Sequence, residues 1–211
     1  TNIAQGQLSS EITHFSASEL SIMIRSQKVS CEEVMRAYLT KIAKYNPIYN
    51  AIVSIPDEDL LIGQAKAADI ELSKGSYRGW MHGMPHAIKD LAYSTDLPTS
   101  EGSPIFAGTY ASADDLFVSR LRAAGAIFVG KTNVPEFGYG SQTYNPVFGP
   151  TRNAYIPSLT AGGSSGGAAV GLATQMLPVA DGSDMMGSLR NPAAYNNVIG
   201  FRPSQGRVPS Y

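Results

Sequence analysis

The segment Gly83-Met-Pro-His-Ala-Ile-Lys89-Asp90 ends a short apolar run on a lysine. Two Gly/Ser-rich turns follow far downstream: Thr160-Ala-Gly-Gly-Ser164-Ser165-Gly-Gly-Ala-Ala, and Ala180-Asp-Gly-Ser-Asp184-Met-Met-Gly187-Ser188-Leu-Arg190-Asn-Pro-Ala-Ala. Such turns bring backbone N–H groups and hydroxyls to a sheet edge, and their small residues let a substrate approach the backbone. A lysine at a strand end can serve as a base without any histidine if burial lowers its pKa. Taken singly, each piece reads as an ordinary Gly/Ser turn or a surface lysine. Only their combination points to nucleophilic chemistry.

Two other patterns compete with that reading. Gly125-Ala-Ile-Phe-Val-Gly130-Lys131-Thr132 fits the phosphate-loop pattern letter for letter. A phosphate cradle needs its four middle residues in a loop after a strand, with Lys and Thr opening a helix. Here those four residues are themselves strand-like, the segment before them is helical, and Pro135 follows closely. A buried strand leading into a loop is the better reading. Gly162-Gly163-Ser164-Ser165-Gly166 fits the nucleophile elbow, which needs an acid and then a histidine later in the chain. The three histidines are His14, His82 and His86, so none follows the elbow. They read as ordinary polar or core residues, and a Ser-His-Asp enzyme is unsupported.

The elements that must position these residues begin with helices. Ser16 and Glu19 have capping-box spacing ahead of Leu20, Met23 and Ile24. Ser30 and Glu33 repeat the signature before Val34, Tyr38, Ile42 and Tyr45, and Asn46-Pro47 is expected to stop that helix. A third helix is expected from about residue 57 to 74, ending at Gly75. From Gly83 the texture changes to short apolar runs, His86 to Ile88 and Ala126 to Val129, bounded by Gly, Pro and Asp as buried strands are. Asp114 can cap a helix carrying Leu116, Val118 and Leu121 that ends at Gly125. This alternation predicts an α/β sheet. Residues 136 to 161, rich in Gly, Pro, Asn, Ser and Thr, predict a long ordered loop, and such loops tend to be functional.

Composition removes several function classes. The chain has 211 residues, with Lys plus Arg 16 against Asp plus Glu 17 and a formal net charge of −1. Charged residues make up 16% of it, against a norm of about 25%. A basic nucleic-acid footprint is excluded, as is a self-repelling disordered chain. A single cysteine, Cys31, excludes an internal disulfide framework and any Cys-pair metal site. No apolar run approaches the ~20 residues of a membrane span. The polar start Thr1–Gln7 is unlike a signal peptide, and a chain beginning at Thr1 fits the removal of a leading segment. A cytoplasmic enzyme is expected.

Taken together, the segments resemble the amidase signature family over nearly the whole chain. The resemblance includes Gly130-Lys-Thr-Asn133 with Pro135-Glu-Phe, Phe148-Gly-Pro-Thr-Arg-Asn153 and Ile199-Gly-Phe-Arg-Pro-Ser-Gln-Gly-Arg207. The pairing of Gly-Gly-Ser-Ser-Gly-Gly with the later Gly-Ser-Leu-Arg-x-Pro-Ala is its most specific part. It implies a mixed sheet flanked by helices, with a helical region over about 16–75 and an α/β catalytic core over about 80–211. It implies hydrolysis of a linear carboxylic amide through a Ser–cis-Ser–Lys triad and an acyl-enzyme, without metal or organic cofactor. In the matching positions Ser188 is the nucleophile, Ser164 the bridging serine after a cis Gly163–Ser164 peptide, and Lys89 the base. Backbone N–H groups of Met185, Met186, Gly187 and Ser188 are the implied oxyanion hole, with Ser165, Asp184 and Arg190 as supports.

Two departures stand out. Met186 occupies a position that is usually glycine in the family, and Tyr211 falls where the first half of the family domain ends. The expectation is therefore an N-terminal half-domain spanning 1–211, inactive alone, whose partners are a small-molecule amide and the missing C-terminal half. An open sheet edge also allows a homodimer. A glutamine-hydrolysing amidotransferase subunit is the alternative enzyme, and a catalytically silent half-domain that binds another chain is the alternative of another class.

Overall fold

Local capping builds the first helices of the computed structural model, which describes residues 12–209; the start Thr1–Gln7 and the terminal Tyr211 lie outside them. Helix α1 (Ala17–Arg25) and helix α2 (Cys31–Tyr49) both begin with complete capping boxes, Ser16 with Glu19 and Ser30 with Glu33. Each box satisfies N–H groups that the first helical turn leaves without a partner. Helix α3 (Glu58–Ser73) starts at Asp57, whose carboxylate accepts the Asp59 N–H at 2.8 Å, and gives way to Gly75 at φ 81°. Leu20 and Ile24 of α1, Val34, Tyr38 and Ile42 of α2, and Leu61, Ala65 and Leu72 of α3 bury their apolar stripes in one core. Burying a large apolar side chain is worth about 1.5–3 kcal/mol.

Helix α2 does not stop at Asn46-Pro47; it continues through Pro47 to Tyr49. Proline there forfeits one backbone bond, and the helix ends only where Asn50 turns left-handed at φ 50°. The Asn46 side chain works on the next segment, accepting the N–H groups of Ala51 and Ile52 at 2.9 and 2.8 Å.

The strands are β1 (Ile52–Val53), β2 (Pro85–Lys89) and β3 (Ile127–Thr132), in the order β1-β3-β2. Strand β3 runs antiparallel to β1 and parallel to β2, which makes the expected mixed sheet. Lys131 and Thr132 are strand residues, fully buried, and do not open a helix, so the phosphate-loop pattern has no cradle. Helix α4 (Leu116–Ala123) is preceded by Asp115, not Asp114. The Asp114 carboxylate instead binds the Thr95 N–H and the Arg122 guanidinium, both at 2.8 Å.

The loop 136–161 is irregular, as expected, and asparagine side chains hold it. Asn145 Nδ2 donates to Asn133 Oδ1 and to the Val134 carbonyl, both at 2.7 Å, and Asn153 Oδ1 accepts the Tyr155 N–H at 2.9 Å. Two further helices follow, α5 (Gly166–Ala173) and α6 (Arg190–Tyr195). Helix α5 packs so closely on the sheet that a Cβ at Gly167 would lie 2.3 Å from the Asn133 nitrogen. No helix of the described residues is long and apolar enough to cross a membrane.

Candidate active site

Strand β2 ends on Lys89, whose side chain is buried at 2% exposure. Its Nζ donates to three hydroxyls: Ser164 Oγ at 2.7 Å, Ser165 Oγ at 2.8 Å and Ser183 Oγ at 2.8 Å. The two Gly/Ser turns, separated in sequence, therefore meet on one amine. A hydroxyl can donate as well as accept, so the bonds to Ser164 and Ser183 can reverse once the lysine is neutral.

Burial pushes the Lys89 ammonium down to about 7, and the Asp181 and Asp184 carboxylates oppose that fall only in part. Helix α5 begins immediately after Ser165, and its positive N-terminal end adds to the preference for a neutral amine. A lysine titrating near neutrality is a usable base.

Ser164 follows a cis peptide from Gly163, as the motif implied. The Ser165 hydroxyl donates to the Ser183 carbonyl at 3.3 Å, and its N–H donates to the Ser188 carbonyl at 2.9 Å. Ser188 thus sits on the same strap of backbone, half-buried. Its Oγ makes no hydrogen bond among the described residues, so of the implied triad the structure joins Lys89 to Ser164 but leaves Ser188 beside them, unlinked.

The strap from 181 to 190 is organised by Asp184, whose side chain is 2% exposed. Its carboxylate accepts the N–H of Gly187 at 2.8 Å, Leu189 at 3.3 Å and Arg190 at 3.2 Å. Arg190 adds two guanidinium contacts, Nε at 2.9 Å and Nη2 at 3.1 Å. The Arg190 guanidinium, with those backbone N–H groups, holds the Asp184 carboxyl well below the usual carboxylate range. Ser165 thus touches Lys89 itself, while Asp184 and Arg190 brace the strap that carries Ser188.

The implied oxyanion donors divide. The Gly187 N–H is already given to Asp184, whereas the N–H groups of Met185, Met186 and Ser188 have no acceptor among the described residues. Met186 is 88% exposed among the described residues. Gly187 at φ 115° has a backbone that a side chain would strain, and a Cβ there would meet Asn191 at 2.9 Å.

Sequence reasoning singled out neither Ser183 nor Asp181. Ser183 is the third hydroxyl on Lys89, and its only sequence signal is its place beside Asp184 in the Gly/Ser run. Asp181 binds the Lys89 backbone N–H through both oxygens at 3.2 Å. His86, read as an ordinary core residue, is its other partner at 3.1 Å. Lys131, the strongest residue of the phosphate-loop pattern, is buried in the core and donates to the Ala92 carbonyl and to Thr99 Oγ1.

Comparison with known proteins now bears on this geometry. The Amidase family model matches residues 33–211. A glutamyl-tRNA(Gln) amidotransferase subunit from Acidothermus cellulolyticus is 41% identical over 202 residues, covering 96% of this chain and 40% of that protein. A bacterial aryl acylamidase described as belonging to the amidase signature enzymes superposes with a TM-score of 0.86 at 35% identity, covering 92% of this chain and 40% of the other. Fatty acid amide hydrolase superposes with a TM-score of 0.84 at 28% identity, over 89% of this chain and 33% of its own. The chain spans about 40% of the length of the curated relatives it matches.

Proposed function

The chain belongs to the amidase signature family, and on that premise we propose that it carries the acyl-transfer centre of a linear carboxylic-amide hydrolase. Neutral Lys89 accepts the Ser164 hydroxyl proton while Ser164 accepts that of Ser188. Ser188 Oγ attacks the amide carbon, and the carbonyl electron pair moves onto oxygen as the tetrahedral intermediate forms. Collapse of the intermediate breaks the C–N bond, and the proton held at Lys89 returns through Ser164 to the leaving amine. Water gives a proton to the same relay as it attacks the ester carbon; the C–O bond to Ser188 breaks, and the relay returns the proton to Ser188 Oγ as the acid leaves.

The observation that carries the reading is the buried Lys89 amine 2.7 Å from Ser164 Oγ, with its pKa pushed down to about 7. The link from Ser164 to Ser188 closes in the substrate complex, as catalytic hydrogen bonds that are open in the free enzyme often do. The free N–H groups of Met185, Met186 and Ser188 supply donors for the oxyanion; one such donor is worth about 2.7–4 kcal/mol of transition-state stabilisation. Every group in the scheme belongs to the chain, so it calls for neither metal nor organic cofactor.

A second reading, glutamine hydrolysis within an amidotransferase, is favoured by the 41% identity to an amidotransferase subunit. A panel of aliphatic, aryl and peptide amides together with glutamine separates the two, with amine or ammonia release as the readout and Ser188→Ala as the blank. Turnover of several simple amides without a partner supports the hydrolase. Release confined to glutamine favours the second reading. Turnover that survives in Ser188→Ala contradicts both.

A further inference from the structure

Strand β2 is an edge of the described sheet, and its outward N–H groups need partners from elsewhere. The Asp90 N–H turns inward to the Thr132 carbonyl at 3.1 Å, so the Lys89 N–H turns outward. There it meets no neighbouring strand. It meets the Asp181 carboxylate, which takes the bond through both oxygens. The same carboxylate accepts from His86 Nε2 at 3.1 Å. His86 is 2% exposed, and its Nδ1 is one of the few buried polar atoms with no hydrogen-bond partner. Capping a strand edge does not require a buried imidazole with one idle nitrogen. That ring makes a single polar contact, and the contact orients Asp181.

We propose that Asp181, oriented by His86, is a positioning residue for Lys89: it holds the Lys89 backbone N–H, and so the end of β2 that carries the amine, and it sets a carboxylate next to that residue. The inference rests on the role given to Lys89 under the proposed function. The physical consequence has a definite sign. Burial drives the Lys89 proton off, and the Asp181 charge is the larger of the two that hold it on, ahead of Asp184. An Asp181 charge near the amine therefore keeps Lys89 titrating close to neutrality and prevents it from being permanently deprotonated and weakly basic.

The other ionisable groups around β2 leave that assignment intact. His86 is on the strand and Asp90 just past its end; Lys131 on β3 projects from the opposite face and also feels the Asp181 charge, so the Lys89 signal is assigned by its own variant. Helix α5 carries no ionisable residue. Cys31 and Tyr38 are buried on α2, and burial pushes both up, so they stay uncharged across the working range.

The test uses the full chain and two readouts. One is the Lys89 titration followed by the 13Cε signal of labelled lysine, assigned by its loss in Lys89→Arg. The other is the pH dependence of Ser188 labelling by a fluorophosphonate. Asp181→Asn keeps an oxygen for the Lys89 N–H and removes the charge, so the Lys89 midpoint should fall by about one pH unit. The acid limb of labelling should fall with it, and the plateau should drop severalfold. His86→Leu should lower the plateau, and His86→Gln, whose amide can still donate to Asp181, should restore most of it.

A Lys89 midpoint unchanged in folded Asp181→Asn overturns the proposal. A lower plateau with an unmoved limb does so too, because that is what loss of an edge cap alone would produce. If Asp181→Asn does not fold, the histidine pair decides: equal behaviour of His86→Leu and His86→Gln overturns the proposal. Should the parent protein show no Ser188 labelling while the midpoint shifts as stated, the proposed function fails and the pairing of Asp181 with Lys89 stands.

Discussion

Strands β2 and β3 each bury a lysine, Lys89 at 2% and Lys131 at 0% exposure, one register position apart in a parallel pair. Lys131 is level with Ile88, and Lys89 with Thr132, so the two amines leave the sheet on opposite faces. Burial lowers the pKa of both. What differs is the partner. Lys131 donates to the Ala92 carbonyl and to Thr99 Oγ1. A carbonyl can only accept, and the Thr99 hydroxyl spends its own proton on that same carbonyl at 3.0 Å, so a neutral amine there keeps its role as donor and gains nothing from a free lone pair. Lys89 faces three hydroxyls; Ser165 gives its proton to the Ser183 carbonyl, and those of Ser164 and Ser183 can turn a proton towards the amine. Burial alone does not make a lysine a base; the reversibility of its hydrogen bonds does.

That contrast can be broken most directly by removing each amine in turn. Lys89→Ala should cut amide turnover by about 10²–10⁴-fold, the usual worth of a general base, while Lys131→Ala should leave turnover per folded molecule within a few-fold of the parent. Equal losses in the two variants would erase the distinction.

The stability effects should run the other way. Lys131→Ala leaves a cavity in the core and takes one donor from the Ala92 carbonyl and one from Thr99 Oγ1, so denaturant unfolding should show a loss of about 2–4 kcal/mol. A loss under about 0.5 kcal/mol, the size of an ordinary surface change, would mean that Lys131 does not hold the core.

For Lys89 the sign depends on pH. Its folded pKa, about 7, lies below the unfolded reference of about 10.4, so between those values the unfolded state binds more protons. Stability should rise with pH across that window, and the penalty of the buried amine is complete below pH ~7. Lys89→Met should therefore compare most favourably with the parent near pH 6 and lose that advantage towards pH 10. A difference that stays flat from pH 6 to 10 would mean that Lys89 titrates normally.

The smallest effect is expected at Met186, whose exposed side chain touches neither lysine. Met186→Gly should change stability by no more than about 0.5 kcal/mol. It should alter turnover by less than about tenfold, because the donor proposed there for the oxyanion is a backbone N–H, which the substitution keeps. A hundredfold rise in turnover would show that the side chain obstructs the oxyanion site.

Features written locally in the chain were the ones that could be read from it. The capping boxes at Ser16–Glu19 and Ser30–Glu33 are three-residue signals and formed as expected. Signals open to longer-range competition misled. Asp114 was drawn away from the helix cap by Arg122 and Thr95, leaving Asp115 to precede α4. Helix α5 was invisible because three of its eight residues are glycine, a poor helix former. A Cβ at Gly167 has no room against Asn133 and Ala51, and one at Gly166 none against Thr143, so packing and not helix propensity calls for glycine at these two positions.

The site divides in the same way. Lys89, Ser164 and Ser188 were accessible through a motif, whereas Ser183, Asp181 and His86 carry no periodicity and declare themselves only when β2 and the 181–190 strap are brought together. The separation of Ser188 Oγ from Ser164 Oγ is likewise a matter of side-chain placement that no spacing encodes.

The central claim is that Lys89, and not the equally buried Lys131, activates Ser188 through Ser164. Labelling the protein with a fluorophosphonate at pH 8 and mapping the adduct by peptide mass spectrometry tests it in one experiment across the parent, Lys89→Ala and Lys131→Ala. The account predicts an adduct on Ser188 in the parent and in Lys131→Ala, and labelling slowed by at least about a hundredfold in Lys89→Ala. Labelling of Ser164 with Ser188 unmodified, or an undiminished rate in Lys89→Ala, would contradict it.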